Sequence, residues 1–363
     1  MRQAWVLLVI GAVHSHASPV AKPSNSLGSG GRYADWPTYD ELPLDPSYPT
    51  KAAWGVWGDD DVYGALNHIT EETILSAAGS EIQTGTTINL NLELDVPDPP
   101  VNPTRRPLNH LFQPEEGYTD DVLVMNTQIS TQYDGLRHFP YSEGGNTSTY
   151  RFYNDLIPTY EDVIGPAPGK VLGIQMSAQK GVVGRGVLLD YARWKDARNE
   201  SIDACSSQTF SAADLDAVAE HQGLKGSWAQ PGDMLIVRTG WVRQYNALSR
   251  EEQQTLPYGP GNWIGMVAND DSARWLWEKK LALVGGDNPA FESTPFNGTI
   301  DSDSRSLHQI FIGGWGQSIV EFLNLERLSD ELHQAGRSTF FLTMQTLNVV
   351  SGIASPANAM ALL

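Results

Sequence analysis

The stretch Asp270-Asp-Ser-Ala-Arg-Trp-Leu-Trp-Glu-Lys-Lys280, running without a break into Leu281-Ala-Leu-Val-Gly-Gly286-Asp287-Asn288-Pro289-Ala-Phe-Glu292, decides the fold class. Acids at the front and two lysines at the back of 270–280 match the charges a helix dipole favours, so this segment is a helix. Leu281 to Gly286 is a short apolar run bounded by glycine and proline, which reads as a strand. It ends on Asp287 and Asn288, leaving polar side chains at the strand end. A helix feeding a strand is the unit of an α/β protein.

Working outward, the same alternation recurs. Gly184-Arg-Gly-Val-Leu-Leu-Asp190 is a core strand with an acid at its end. Ser211 to Gly223 is a helix opened by a capping box of Ser211 and Asp214 and closed by glycine, with Leu215, Val218 and Ala219 as its buried stripe. Gly232 to Trp241 is a further strand running to a loop, Leu325 to Ala335 a helix, and Thr339 to Leu347 a strand. Towards the N-terminus, Thr70 caps a short helix that Gly79 stops. Thr87 to Asp95 then alternates, with Ile88, Leu90, Leu92 and Leu94 on one face of a half-buried strand. The Pro-rich segment 96–107 is a loop, with His110 just beyond it. No repeat or long linker divides the ordered chain. The expectation is therefore one α/β domain over 33–363, with a mixed β-sheet or barrel-like core flanked by helices.

Composition narrows the partners. The chain has 363 residues, 40% of them hydrophobic, which is enough for a large core. Its net charge of −19 argues against nucleic acid and anionic membranes and leaves neutral, cationic or small partners. Met1-Arg2, the apolar run 4–13 and Ser15-His16-Ala17 have the three parts of a secretory signal peptide, residues 1–17, followed by a flexible tail over 18–32. The expected location is secreted, or the lumen of the secretory pathway. Three acceptor sequons, at Asn146, Asn199 and Asn297, gain meaning on that route as glycosylation sites. The single cysteine, Cys205, excludes an internal disulfide and reads as a half-buried, unreactive thiol.

Chemistry concentrates in Gln128-Ile-Ser-Thr-Gln132-Tyr133-Asp134-Gly-Leu-Arg-His138, which follows the apolar run Val122 to Met125. If that run continues as a strand, Gln128, Ser130, Gln132 and Asp134 share one face. Gly135 then breaks the strand, and His138 turns back towards Asp134. A carboxylate and an imidazole so placed serve acid–base chemistry, metal binding or only a turn. Nucleotide loops, zinc-protease helices, nucleophile elbows and cysteine pairs are all missing. Asp287, Asn288, His308 and Glu321 remain as further polar residues near strand ends. Trp54, Trp57, Tyr133 and Trp241 are candidates for an apolar wall, or for core.

The order of Trp54-Gly-Val-Trp57, Gly64-Ala-Leu-Asn67-His68-Ile-Thr70, the Gln128 to His138 stretch, Gly184 to Tyr191, Gly232 to Trp241, Gly285 to Glu292 and His308 to Glu321 resembles the cyclase family that includes kynurenine formamidase, and within it a fungal, Trp-rich branch. The similarity runs from Trp54 to Leu328. It implies a motif HxGTHxDxPxH in which two histidines and the aspartate bind zinc or manganese, a distal His and Glu complete the site, and the last His is the acid–base. By that resemblance the aspartate falls on Asp134, the acid–base on His138 and the distal pair on His308 and Glu321, the last after a one-residue insertion. The two histidine ligands fall on Gln128 and Gln132, and the proline on Leu136.

Amide oxygens are poor substitutes for imidazole on a late divalent metal, so the departure argues against a metal. The expected protein is a metal-independent enzyme of natural-product biosynthesis, without cofactor. It carries out acid–base dehydration or ring closure, up to cycloaddition, of a polyene or quinone-methide-like substrate. His138, Asp134, His308 and Glu321 are its catalytic residues. Gln128, Gln132, Tyr133, Trp54, Trp57, Trp241, Asp287 and Asn288 bind the substrate. The alternatives are a zinc or manganese amide or lactone hydrolase using Asp134, His308 and Glu321 as ligands, and a small-molecule binding protein without catalysis. The family resemblance also implies a homo-oligomer, with a dimer favoured.

Overall fold

The computed structural model describes residues 31–142, 149–165, 168–226, 228–259, 261–296, 298–300 and 305–363. The signal segment 1–17, the tail up to residue 30 and two of the sequons, Asn146 and Asn297, lie outside the described residues. Asn199 is exposed. Residues up to Trp36 form a unit of their own, in which the Tyr33 and Trp36 rings meet edge to face at 5.8 Å. Pro37–Leu363 form the second unit, which carries everything that follows.

Its strands in chain order are β1 (Thr87–Asn89), β2 (Asn109–Pro114), β3 (Thr119–Val124), β4 (Gln132–Asp134), β5 (Val182–Leu189), β6 (Thr209–Phe210) and β7 (Met234–Val237). They continue with β8 (Gly265–Met266), β9 (Leu283–Gly286), β10 (Ser318–Glu321), β11 (Thr339–Met344), β12 (Ala354–Pro356) and β13 (Met360–Leu362). Among the described residues nine of them form one mixed sheet in the order β1-β13-β11-β5-β7-β9-β10-β4-β12. The run β5-β7-β9-β10 is parallel and the outer pairings are antiparallel. Parallel strands need covering on both faces, which is why β7 and β9 are unbroken apolar runs with every residue buried. The sheet curls into a half-barrel flanked by helices, as the α/β expectation had it.

The helices follow their sequence signals closely. Thr70 caps Glu71–Glu81 by accepting from the Thr73 N–H at 3.2 Å, although the helix runs past Gly79. The Ser211 and Asp214 capping box opens Ala212–His221. Asn269 caps Asp270–Glu278, which leads into β9. Cys205 is half-buried, and burial pushes its thiol pKa up to about 11, the unreactive state expected of it.

Two strand expectations change. Ile88, Leu90 and Leu92 are buried in alternation, but ladder pairing stops at Asn89 because only Asn91 meets a neighbour beyond it, Leu323. The apolar run at Val122 does form a strand, but β3 pairs with β2 in an exposed hairpin and does not continue into the site. His110 accordingly sits on β2, not in a loop, and pairs with Asp121 at 2.7 Å. Gln128 and Ser130 lie in the turn between, so the shared strand face is limited to Gln132 and Asp134.

Gly135 ends β4 for a steric reason. A Cβ there would lie 2.6 Å from the Ile353 carbonyl oxygen, to which the Gly135 N–H donates at 3.2 Å. The chain then turns, with the His138 N–H on the Gly135 carbonyl at 2.9 Å, and brings His138 back towards Asp134. Arg137 fixes the outside of this turn. Its guanidinium donates to the carbonyls of Val171 (3.0 Å), Ser351 (3.1 Å), Asp162 (2.9 Å) and Gly169 (2.7 Å). An Arg137→Met variant leaves those acceptors without their charged donor and is expected to lose roughly 2–3 kcal/mol of stability. Hydrogen exchange checks the mechanism: protection should fall first at 162–171 and 349–353.

Candidate active site

The cluster assembles where β4 and β10 run antiparallel. Their register sets Glu321 opposite Gln132 and Ile319 opposite Asp134. Period two then turns Gln132 and Asp134 to one face and Tyr133 to the other, where Tyr133 joins the apolar core and its hydroxyl donates to Ser177 at 3.3 Å. Glu321 and Asp134 are buried, and so is His308 at the entry to the π-helix Gln309–Trp315. π-Helical turns widen the helix locally and are found at functional sites. Gly313 and Gly314 permit this one, since a Cβ on either would meet Tyr141 at 2.7 Å.

Gln128 straps the acid to the base. Its Nε2 donates to Asp134 Oδ1 at 2.7 Å and lies 3.1 Å from His138 Nε2. Because an amide NH₂ only donates, His138 Nε2 is the accepting nitrogen of a neutral imidazole, with its proton on Nδ1. Asp134 Oδ2 is 3.7 Å from the same Nε2 and, though buried, has no hydrogen-bond partner among the described residues. Burial raises the Asp134 pKa, and the Glu321 charge adds to this, against the pull of His138, His308 and Arg105. Burial lowers the His138 pKa, against the nearby Asp134 charge. The two shifts bring the acidities of the two groups closer together.

Gln132 has a fixed orientation. Arg105 Nη1 donates to its Oε1 at 2.8 Å and to the Gln128 carbonyl at 2.6 Å, and the Gln132 Nε2 donates to Glu321. Guanidinium cannot accept and a carboxylate cannot donate, so the amide can sit only this way round.

His308 is held between two acids, with Nδ1 3.1 Å from Glu292 and Nε2 3.2 Å from Glu321. Burial disfavours its charge, but Glu292 and Glu321 outweigh that and hold the pKa well above the ordinary imidazole value. It is an imidazolium covered by Phe139 and Phe296, whose ring centroids lie 5.3 and 5.1 Å away.

Asp134, His308 and Glu321 each place one ligand-type atom within 4.8 Å of the others, the metal-capable set among the described residues. Its donor chemistry does not fit zinc or manganese as arranged. There is one nitrogen, already protonated between two acids, and the glutamines present N–H groups to the carboxylates in place of lone pairs to an ion.

The other expected site residues lie apart from this cluster in their contacts. Asp287 accepts from the Thr239 N–H and hydroxyl (2.6 and 2.7 Å) and the Gly240 N–H (2.9 Å), a loop-fixing role. Asn288 donates to the carbonyls of Ile264 and Ala290 at 2.8 and 2.5 Å. Trp54 is buried and donates to the Gly313 carbonyl at 2.8 Å, while Trp57 packs edge-on to His68 at 4.8 Å. Trp241 is buried and stacks on Tyr245 at 5.2 Å. The wall of the site comes instead from Phe139, Tyr150, Tyr160 and Phe296, around a cavity of about 490 Å³ that ends on Gln128 and His138. Glu292 and Arg105 also escaped the sequence reading. Glu292 ends the 287–292 segment after β9, where an acid at a strand end is a signal, but nothing in the Pro-rich loop marks Arg105.

A curled mixed sheet with a buried carboxylate–imidazole cluster at its strand ends defines an α/β half-barrel of the cyclase type. The chain belongs to the Cyclase family, whose model matches residues 45–293. A crystal structure of a novel cyclase is 31% identical, with TM-score 0.73 over 86% of this chain and 99% of that one. Isatin hydrolase A from Ralstonia solanacearum (14% identity, TM-score 0.52, 81% of this chain and 97% of that one) shares the fold. So does isatin hydrolase A from Labrenzia aggregata bound to benzyl benzoate (15%, 0.50, 76% and 93%). No curated protein matches the sequence.

Proposed function

We propose that this protein is an enzyme of small-molecule biosynthesis that moves a proton through His138, beside buried Asp134, without a metal, driving loss of water and ring closure of a reactive polyene or quinone-methide-like substrate. The observation that carries the reading is that Gln128 and Gln132 both turn N–H donors onto Asp134 and Glu321. By the family resemblance these glutamines stand where histidine ligands are expected, so hydrogen bonds take over the task of balancing buried carboxylates. His138 Nε2 takes a proton from the substrate and returns it to the departing hydroxyl, with buried Asp134 balancing the charge on the imidazole, so that water leaves and a double bond forms. Closure, including cycloaddition, follows from confinement of the intermediate in the cavity. The fixed His308 imidazolium holds Glu321 and Glu292 in place and needs no proton exchange of its own. The source is a fungal secretory pathway, and the working form is a homo-oligomer.

A second reading, a metal-dependent amide or lactone hydrolase, is favoured by one observation, that Asp134, a member of the three-residue set, keeps an unpartnered buried Oδ2. Metal analysis of the purified protein, zinc and manganese titration, and turnover of a panel of allylic and benzylic alcohols and of cyclic amides after chelation separate the two. Dehydration that survives chelation supports the first reading; hydrolysis that needs stoichiometric metal sinks it. The double variant Gln128→His, Gln132→His gives an independent check. It is expected to take up one zinc per chain, on the order of a hundredfold more tightly than the parent, as calorimetry would show.

A further inference from the structure

The cavity above Gln128 and His138 also carries information about charge. Its described wall is aromatic and aliphatic, from Phe139, Tyr150, Tyr160, Val163, Ile164 and Phe296, and its polar lining is neutral apart from Arg137 and the titratable His138. Arg137 is 2% exposed and its guanidinium is bound to four backbone carbonyls, so it is no anchor for an anion. Three buried carboxylates belong to the adjoining cluster: Asp134, which Gln128 holds, and Glu292 and Glu321, which His308 bridges. Two cations answer them. His308 is clamped by Glu292 and Glu321, and Arg105 is bound to the Gln128 carbonyl and to Gln132. Arg305, beside Ser306 of the lining, is turned to the Ser142 carbonyl at 3.4 Å and lies over the Tyr141 ring at 5.0 Å, so among the described residues the cations near the cavity are all engaged, and the chain's net charge of −19 adds repulsion at longer range. A cavity of about 490 Å³ falls in the range that encloses a drug-sized molecule.

We infer that this cavity selects a neutral, largely apolar, ring-bearing molecule, seats one uncharged oxygen at Gln128 and His138, and rejects the same skeleton carrying a carboxylate or phosphate. The inference rests on the reading of Gln128 and His138 as the reacting end, but it concerns binding and is tested by binding. The neutral oxygen replaces His138 as the acceptor of one Gln128 N–H, and a hydroxyl can also donate to the His138 Nε2 so released, while the rings lie against Phe139 and Phe296. A carboxylate in that place would lie one side chain away from Asp134, to which Gln128 donates at 2.7 Å, with no disengaged cation among the described lining.

The test is equilibrium dialysis of the full chain against a matched pair, 2-acetylnaphthalene and 2-naphthoate. Saturable binding of the ketone, at least about tenfold tighter than the acid, is the expected result. Equal or tighter naphthoate binding, or no saturable ketone binding, overturns the inference. Ile164→Lys places a cation at the wall and should narrow the ratio severalfold; an unchanged ratio overturns the assignment to this cavity. The same ratio is then measured with His138→Asn. If the preference persists while this variant turns over substrate as fast as the parent, the catalytic reading fails and the binding inference stands. If the preference is lost in the parent itself, the binding inference fails whatever the variant does.

Discussion

Turnover falls by about 10²–10⁴-fold when His138 is replaced by asparagine, the range a positioned acid–base contributes. The shorter amide gives up the Nε2 contact with Gln128 and cannot carry a proton at neutral pH. His138 is one-fifth exposed, on the cavity side, so the fold should be unaffected and the denaturation midpoint should move little. The pH profile of the parent gives a second readout. Because burial lowers the His138 pKa, its basic form persists below the usual imidazole range, and the acid limb of the rate profile should lie below about pH 6.5. Asp134→Asn should shift that limb, since removing the Asp134 charge removes what opposes the lowering. An acid limb at or above the ordinary imidazole value, or undiminished turnover in His138→Asn, would remove His138 from the proton-transfer role.

The largest expected loss of stability comes from His308→Leu. It leaves Glu292 and Glu321, both buried, facing one another without their shared cation, and should cost about 3–5 kcal/mol. Glu292→Gln keeps the shape and one acidic partner, and should cost less. The pH dependence follows from the raised His308 pKa. The folded protein binds this proton more tightly than the unfolded chain, so the contribution is complete below the unfolded value, about 6.5, and is lost as pH rises through the higher folded value. Urea denaturation of parent and variant should therefore show the widest gap near pH 6 and a narrowing gap in the alkaline range. A gap that widens with pH would contradict the imidazolium assignment.

Local grammar made much of this protein legible. Caps and acids in first turns fixed the starts of the helices at Thr70, Ser211 and Asp270 to within a few residues, because those signals act within one helical turn. Apolar runs located β5, β7 and β9, since a parallel strand is buried on both faces and must be apolar throughout. The approach of His138 to Asp134 across Gly135 was legible too, being a four-residue event. The Val122 run misled, because periodicity reports that a strand forms and not which partner it takes: β3 pairs with β2 and stands in solvent.

The sequence by itself thus determined the α/β class, the helices and the Asp134–His138 pair, all consequences of contacts between near neighbours in the chain. Only the tertiary structure decided the company that pair keeps. Arg105 reaches Gln132 from 27 positions away, Glu321 from 189, and Glu292 reaches His308 from 16. It also decided that Trp241, Asp287 and Asn288 serve packing and loop geometry, while Phe139 and Phe296 cover the imidazolium. The orientation of the two glutamines belongs to the same set. A lone amide can face either way, and only the donor on one side and the carboxylate on the other fix its direction.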